Sequence, residues 1–304
     1  MGADIPQGGK GVIGVSPAYF ISRYGDRFSP QQVVEGLDEV AALGFEGFQL
    51  EVYHEDTLDE WVNGGAAVVA EARRRNGLKA TQFVAHFLLH GFASEEAIGA
   101  GSGILETEKI LTSLDLFPEC RLVTVPLGAF SPGRAAYREL YQRFLDKIGG
   151  ILRKIEAGGR RCAIELAPSA LVSGSDGLLK LYADLGSLSM GYNFDTGHAN
   201  ACKEVVPLIP LKMGARLYGT HLCDNHGNEN LKLCPGDGSI DWGRVFGSLA
   251  AVGYEGPLDV EIRCEPGSVT EEYRKALRRV RDFHAAVDRL HYAHKGHSNG
   301  RQGE

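Results

Sequence analysis

Short apolar runs rich in β-forming residues alternate with longer amphipathic stretches along most of the chain. The short runs predict eight strands, over residues 11–15, 47–52, 79–87, 121–127, 162–167, 190–194, 217–223 and 257–262. The stretches between them carry apolar residues at helical spacing and predict helices over 30–43, 57–76, 105–116, 133–157, 176–185, 203–213, 241–251 and 269–290. The chain therefore reads as consecutive strand–helix units.

Eight such units in about 280 residues match the length of a (β/α)8 barrel. A doubly wound parallel sheet is the competing architecture. It is disfavoured because the segment Val15–Tyr19 after the first strand lacks the G-x-G-x-x-G pattern, and because no linker divides the chain. We predict an α/β fold, a single (β/α)8 TIM barrel over residues 11–290. A flexible N-terminus over 1–10 and a disordered polar tail over 291–304 are expected to flank it.

Charge and composition narrow the class of protein. The chain has 304 residues, with 32 Lys and Arg against 39 Asp and Glu, and its net charge of -7 argues against a general nucleic-acid binder. No apolar run approaches the length of a membrane span, and the N-terminus lacks the apolar segment of a secretion signal. Six cysteines are scattered singly without a C-x-x-C pair. We predict a cytoplasmic protein with reduced thiols.

Ionisable residues mark the predicted carboxyl ends of the last four strands, which carry Glu165, Asp195, His221 and Glu261. Successive residues of this set are separated by about one strand–helix unit, so a barrel brings them to one end from neighbouring strands. Alone, each carboxylate is as well explained by a helix cap or a surface ion pair. Together, carboxylate and imidazole donors predict a site for one divalent metal ion, Mn²⁺, Mg²⁺, Co²⁺ or Zn²⁺.

Five segments of the second half carry a family resemblance: IELAP at 164–168, NFDTGHAN at 193–200, THLCDNHG at 220–227, PGDGSIDW at 235–242 and GYEGPLDVEI at 253–262. On these motifs the chain resembles the xylose-isomerase-like barrels, the sugar-phosphate isomerase/epimerase superfamily that includes tagatose and psicose epimerases, inosose dehydratase and endonuclease IV. The resemblance extends over about residues 11–285. It implies that the four residues above are metal ligands and that His198 contacts substrate.

The chain also differs from two members of this superfamily, the ketohexose epimerases and endonuclease IV. Ketohexose epimerases usually carry a second glutamate six residues after the first and an arginine six residues after the metal histidine; here these positions are Leu171 and Gly227. A free ketohexose is therefore not the expected substrate. Endonuclease IV needs a further histidine after the seventh strand, and residues 230–234 offer none. With the acidic net charge, this absence makes DNA repair an unexpected function.

Residues near the four strand ends leave alternatives open. Glu51 at the end of the second strand and His86 near the end of the third either bind sugar hydroxyls or relay protons, unless His86 only caps a loop. Lys232 either meets an anionic group or is solvated like most loop lysines. Four aromatic side chains are candidates for an apolar wall over a polyol: Tyr19, Phe20, Phe87 and Phe130.

These residues favour a divalent-metal-dependent isomerase or epimerase that acts on a sugar or cyclic polyol ketone through an enediolate. Glu165 and Glu261 are expected to remove and return a proton, and His198 to move a proton between substrate oxygens. Loss of a β-hydroxyl in the same site gives the alternative, a lyase or dehydratase, including one that cleaves a C-glycoside. The third hypothesis is a non-catalytic metal-containing subunit. The expected partner is a small carbohydrate, and a homo-oligomer or a partner subunit stays open.

Overall fold

The eight strands form a closed barrel in the computed structural model, which describes residues 11–186 and 189–298, with 287–298 as backbone only. The strands are β1 Ile13–Val15, β2 Gly47–Glu51, β3 Lys79–Val84, β4 Leu122–Leu127, β5 Arg161–Leu166, β6 Met190–Asp195, β7 Leu217–Leu222 and β8 Leu258–Val260. Each strand pairs in parallel with the next, and β8 pairs with β1. The predicted TIM barrel is confirmed.

Helices lie between the strands. They are α1 Ala18–Tyr24, α2 Pro30–Leu43, α3 Leu58–Glu60, α4 Ala66–Asn76, α5 Leu88–Gly91, α6 Glu95–Gly99, α7 Ile104–Leu114, α8 Tyr137–Ala157, α9 Gly174–Leu185, α10 Thr196–Ala201, α11 Ile209–Met213, α12 Trp242–Ala251 and α13 Val269–Ser298. In α2, Ser29 and Gln32 form a reciprocal capping box at the start. Of the helices described, none is long and apolar enough to cross a bilayer.

The predicted helix over 57–76 is not continuous. Between α3 and α4, the π-helical turn Trp61–Gly65 contains two residues with non-helical backbone angles, Asn63 and Gly64. Asparagine bonds to nearby backbone groups, and glycine adopts a positive φ, here 122°, without the clash of a Cβ atom. The helical spacing of apolar residues continues through this break, which is why the pattern alone predicts one helix.

The last helix extends beyond its predicted boundary. Helix α13 continues past residue 290 to Ser298, into the segment that the sequence predicts to be a polar tail. The predicted flexible N-terminus over 1–10 and the last residues of the tail, 299–304, lie outside the described residues. The short helices α1, α5, α6 and α10 are additional to the prediction, because each has too few residues to show a helical repeat.

A layer of polar side chains fills the barrel interior below the carboxyl ends of the strands. Its members are each no more than 5% exposed: Gln49, Thr81, Gln82, Thr124, Asn193 and Asp259. Two strand glycines leave room for this layer. A Cβ atom at Gly14 would lie 2.2 Å from Asp259 Oδ1, and one at Gly219 would lie 2.5 Å from Asn193 Oδ1. We call these six residues the polar layer.

Candidate active site and metal centre

Strand register brings the four predicted ligands to one end of the barrel. Asp195, the last residue of β6, is the direct neighbour of His221 on β7. Glu165 lies next to the last residue of β5, and Glu261 directly follows β8. All four side chains are buried. They therefore meet at the carboxyl end of the barrel, where the loops that follow the strands can enclose a ligand.

The donor atoms of these four side chains converge. His221 Nδ1 lies 2.9 Å from Glu165 Oε2 and 3.5 Å from Glu261 Oε2. Ligand atoms of Glu165, Asp195 and His221 lie within 4.8 Å of one another, and those of Asp195 and Glu261 are equally close. His221 Nδ1 and Glu261 Oε2 are both buried, and the groups nearest to them belong to the same cluster of charges. Buried carboxylates are costly without positive charge beside them, and one divalent cation would supply it, so the donor set fits such an ion.

Charge coupling sets the protonation of the cluster without a metal. Burial alone would lower the pKa of His221, but the carboxylates of Glu165 and Glu261 raise it to about 10. Burial opposes ionisation of Glu165 as well, yet the His221 cation holds the pKa of this carboxyl far below its usual value. At neutral pH, His221 therefore carries a proton on Nδ1. A metal ion must displace that proton to bind there.

His198 is held beside the cluster by the turn that begins α10. Asp195 caps this helix, accepting a hydrogen bond of 2.8 Å from the His198 backbone N–H. The His198 ring Nε2 lies 3.3 Å from Asp195 Oδ2 and 3.7 Å from Glu165 Oε1. Its Nδ1 lies 3.2 Å from Asn230 Nδ2, and Asn230 Oδ1 accepts from the Lys232 backbone N–H. The amide of Asn230 therefore donates to His198 Nδ1, and the Nε2–H group faces the carboxylates.

The ring of His198 is neutral at physiological pH. Burial lowers its pKa to about 4, and the nearby Lys232 cation adds to this effect. A neutral ring that accepts at Nδ1 carries its single proton on Nε2. His198 can therefore donate a hydrogen bond to an oxygen placed above the carboxylates. Because the ring is uncharged, it does not repel a bound cation.

Lys232 also belongs to this cluster, a position that the sequence alone did not predict. Its ammonium lies 2.6 Å from Glu261 Oε2 and 4.0 Å from Asp195 Oδ2. Burial alone would lower the pKa of this amine, but the two carboxylates raise it above its usual value, so Lys232 stays charged. Lys232 has a positive φ of 50°, rare for a non-glycine residue. Its place in the loop after β7 was the available signal, because such loops carry function in a barrel.

Asp224 anchors the loop that carries Asn230 and Lys232. The Asp224 carboxylate is fully buried and accepts hydrogen bonds from Gly236 N–H at 2.9 Å and from the Trp242 indole N–H at 2.8 Å. The backbones of Asp224 and Leu233 also form an antiparallel bridge. The two ends of the loop are thus tied to each other and to the start of α12, which holds its two polar side chains in the site.

A cavity of about 520 Å³ opens over the cluster. Its apolar lining includes Pro17, Ala18, Ile21, Leu89 and Pro126. The predicted aromatic wall is wrong, because its four members are absent from the lining residues: Tyr19, Phe20, Phe87 and Phe130. The geometry of helix α1 explains why Tyr19 and Phe20 do not line the cavity. Residues three apart share a helix face, so Ala18 and Ile21 face the cavity while Tyr19 and Phe20 are buried in the core.

Glu51 and His86, which the sequence predicts to bind substrate, lie together in the wall of this cavity. His86 Nδ1 is 2.8 Å from Glu51 Oε1, and the His86 ring stacks on Tyr53 with centroids 4.2 Å apart. The second oxygen of the carboxylate, Glu51 Oε2, is buried and has no hydrogen-bond partner among the described residues. It is therefore available to accept a hydrogen bond from a ligand hydroxyl.

The charge of Lys232 is expected to weaken metal binding. In the Lys232→Met variant, a divalent ion should bind roughly tenfold more tightly, because the ammonium no longer competes for the carboxylates. The measurement is the Kd for Mn²⁺ by chelator competition on protein stripped of metal. Lys180→Met, which removes an exposed lysine on α9, is the control and should leave the Kd unchanged. An unchanged or weaker affinity in Lys232→Met would contradict the expected competition.

Comparison with known proteins places these features in a family. A family model described as xylose isomerase-like TIM barrel matches residues 37–283. A curated relative, the uncharacterized protein y4fM of Sinorhizobium fredii, is 33% identical over 120 residues, which cover 37% of this chain and 39% of the relative. The match therefore spans about two fifths of that relative's length.

Solved structures share the fold over nearly the whole chain. The structure titled L-ribulose 3-epimerase has a TM-score of 0.71 at 16% identity, with 97% of this chain and 100% of that chain covered. The 3-keto-D-glucoside 4-epimerase YcjR of E. coli has a TM-score of 0.69 at 18% identity, with 90% and 100% covered. At these identities the likeness shows the fold alone, and the family model confirms the resemblance indicated by the sequence motifs.

Proposed function

Because the chain belongs to the xylose isomerase-like TIM barrel family, we propose that it is a divalent-metal-dependent isomerase or epimerase of a sugar or polyol ketone. The observation that carries this proposal is the convergence of Glu165, Asp195, His221 and Glu261 under one cavity. The volume of the cavity is in the range of small-molecule sites. Structural neighbours titled as sugar epimerases support the same class of reaction.

The four converging residues would hold the ion, and their donor atoms suit Mn²⁺, Mg²⁺, Co²⁺ or Zn²⁺. When bound, the ion supplies a Lewis acid that polarises a substrate carbonyl and acidifies the neighbouring C–H group. His221 would give up its Nδ1 proton when the ion binds. The ammonium of Lys232, which contacts Glu261, would place a positive charge beside the substrate and stabilise negative charge on oxygen.

The two glutamates divide the proton transfer. Glu165 and Glu261 come from β5 and from the end of β8, so they approach the substrate from different sides of the barrel mouth. One carboxylate removes the proton next to the carbonyl, and the other returns a proton to the enediolate. The Nε2–H group of His198 donates a hydrogen bond to a substrate oxygen during this transfer. Glu51 and His86 bind hydroxyl groups of the substrate from the opposite wall.

Solvent deuterium tests the reaction class. Metal-loaded protein is incubated in deuterium oxide with a panel of keto-sugars and inososes, and products are analysed by mass spectrometry and NMR. The proposal expects a product of unchanged formula that carries deuterium at the carbon next to the carbonyl. The control is the same panel with protein stripped of metal and held in chelator, which should leave the substrates unlabelled.

The other outcomes separate the alternatives. A product lighter by one water would replace the isomerase with a dehydratase or lyase in the same site. Conversion without label would contradict the exchange of protons with solvent. Absence of conversion and of label, in protein with a full complement of metal, would favour a non-catalytic subunit. The proposal includes a cytoplasmic location, which the six free cysteines support.

A further inference from the structure

The polar layer below the metal ligands controls which nitrogen of His221 is free. We propose that Gln49 and Asp259 are positioning residues that keep a proton on His221 Nε2 and so reserve Nδ1 for the metal ion. This inference rests on the metal site of the proposed function and extends it to residues that do not contact metal or substrate.

Asp259 lies at the centre of the layer. Its side chain is fully buried and accepts from Gln49 Nε2 at 2.7 Å, from Gln82 Nε2 at 3.2 Å and from the Thr81 hydroxyl at 3.0 Å. Both glutamines turn their NH₂ group, the donor end of the amide, toward it. The orientation of the two amide groups is therefore determined by Asp259.

The orientation of Gln49 determines the protonation of His221. With Gln49 Nε2 turned to Asp259, the amide oxygen Oε1 faces His221 Nε2 at 3.0 Å. An amide oxygen only accepts, so Nε2 must carry a hydrogen. The opposite nitrogen, Nδ1, faces Glu165 and Glu261, where the metal would lie. A histidine ligand whose second nitrogen donates to a buried acceptor is the usual arrangement at metal sites.

A second branch of the same layer orients Glu165. Gln82 Nε2 donates to Asn193 Oδ1 at 3.2 Å, and Asn193 Nδ2 donates to Glu165 Oε2 at 2.9 Å. The oxygen of Gln82 accepts a hydrogen bond from the Thr124 hydroxyl, and its Nε2 group also donates to Asp259, which orients this amide. Two of the four ligands thus take their orientation from one buried network. The side-chain polar atoms of Gln49, Gln82, Asn193 and Asp259 are all paired, which is the condition for such a network to specify geometry.

The test changes Gln49 and compares it with a matched residue of the layer. Gln49→Met keeps length and removes both hydrogen bonds, so His221 loses its acceptor. We expect Zn²⁺ affinity at pH 8, measured by chelator competition, to fall by about 10- to 100-fold, the usual effect of losing such a partner. Thr81→Val removes another donor to Asp259 without contacting His221. The Zn²⁺ affinity of Thr81→Val should stay within about threefold of the wild-type affinity, a much smaller loss than that expected for Gln49→Met.

NMR of ¹⁵N-histidine-labelled protein gives a readout that is independent of activity. In the wild-type chain, both metal-free and loaded with diamagnetic Zn²⁺, His221 should show a protected proton on Nε2. This proton should be lost or exchange rapidly in Gln49→Met. In Gln49→Glu, the new carboxyl group shares one proton with Asp259 and still accepts from His221, so most of the Zn²⁺ affinity should return.

Three results would overturn the inference: wild-type protein without a proton on His221 Nε2, Gln49→Met with wild-type Zn²⁺ affinity, or Thr81→Val with as large a loss as Gln49→Met. The first needs no variant, so it applies even if Gln49→Met fails to fold. Wild-type protein that shows the Nε2 proton but binds no divalent ion would contradict the proposed function instead. The two failures are therefore distinguishable.

Discussion

Glu165→Gln and Glu261→Gln are each expected to reduce turnover by about 10²- to 10⁴-fold, the usual worth of a positioned acid or base. Glutamine retains the size of glutamate but cannot take up a proton at neutral pH. Both carboxylates lie at the His221 nitrogen under the cavity, where a substrate carbonyl would be polarised. The measurement is kcat on the substrate identified in the deuterium screen, together with the rate of label entry into recovered substrate.

Metal content must be measured in the same samples, since both residues are also proposed ligands. The matched control is Glu139→Gln, an exposed glutamate in the first turn of α8, which should keep wild-type turnover. Metal-loaded Glu165→Gln or Glu261→Gln with unchanged turnover would remove that residue from the proton transfer. A loss of turnover that follows metal content alone would leave the residue as a ligand without an acid–base role.

The two variants should differ in their electrostatic effects. Glu165→Gln removes the carboxylate closest to His221, so the pKa of His221 should fall and less proton competition should oppose metal binding. Glu261→Gln removes the 2.6 Å partner of Lys232 and leaves that half-buried ammonium with Asp195 at 4.0 Å, whereas His221 can release its proton when it loses Glu165. Removing one member of a buried ion pair costs about 3–5 kcal/mol, and the partial exposure of Lys232 reduces this cost. Glu261→Gln should therefore lower the free energy of unfolding of the metal-free protein more than Glu165→Gln does.

His221→Ala is expected to abolish tight metal binding. The wild-type chain should purify with about one divalent ion per chain, and the variant should bind more than about 100-fold more weakly, beyond the effect of losing an outer partner. Alanine removes the imidazole donor and the positive charge that opposes carboxylate repulsion in the metal-free cluster. Elemental analysis of protein purified without added metal, followed by titration of stripped protein, measures both quantities. His226→Ala, in the loop after β7, is the control.

The metal affinity of the wild-type chain and that of His221→Ala should also depend differently on pH. His221 has a pKa of about 10 in the metal-free chain, so below pH 10 a metal ion must displace the Nδ1 proton. Metal affinity should therefore rise with pH, by up to roughly tenfold per unit for one released proton. This contribution should be missing from His221→Ala. Equal metal content in variant and wild type, or an equal pH slope, would contradict the assignment of His221 as a ligand.

The order of residues along the chain was enough to predict the barrel and the convergence of four side chains. Strand–helix alternation is a local property, because strands and helices bury their apolar faces with different repeats. Once eight units close into a barrel, the ends of consecutive strands lie side by side. The spacing of Glu165, Asp195, His221 and Glu261 by about one unit each was therefore enough to predict that they meet.

Tertiary structure alone decided how this cluster is charged and oriented. Gln49 and Asp259 are 210 positions apart, and Lys232 reaches Glu261 from the loop after the preceding strand. The turn of α1 likewise decided that Ala18, and not Tyr19, lines the cavity. Such contacts depend on the direction of side chains across a closed barrel. No local repeat encodes that direction, because the strands that bring these atoms within hydrogen-bond distance are remote along the chain.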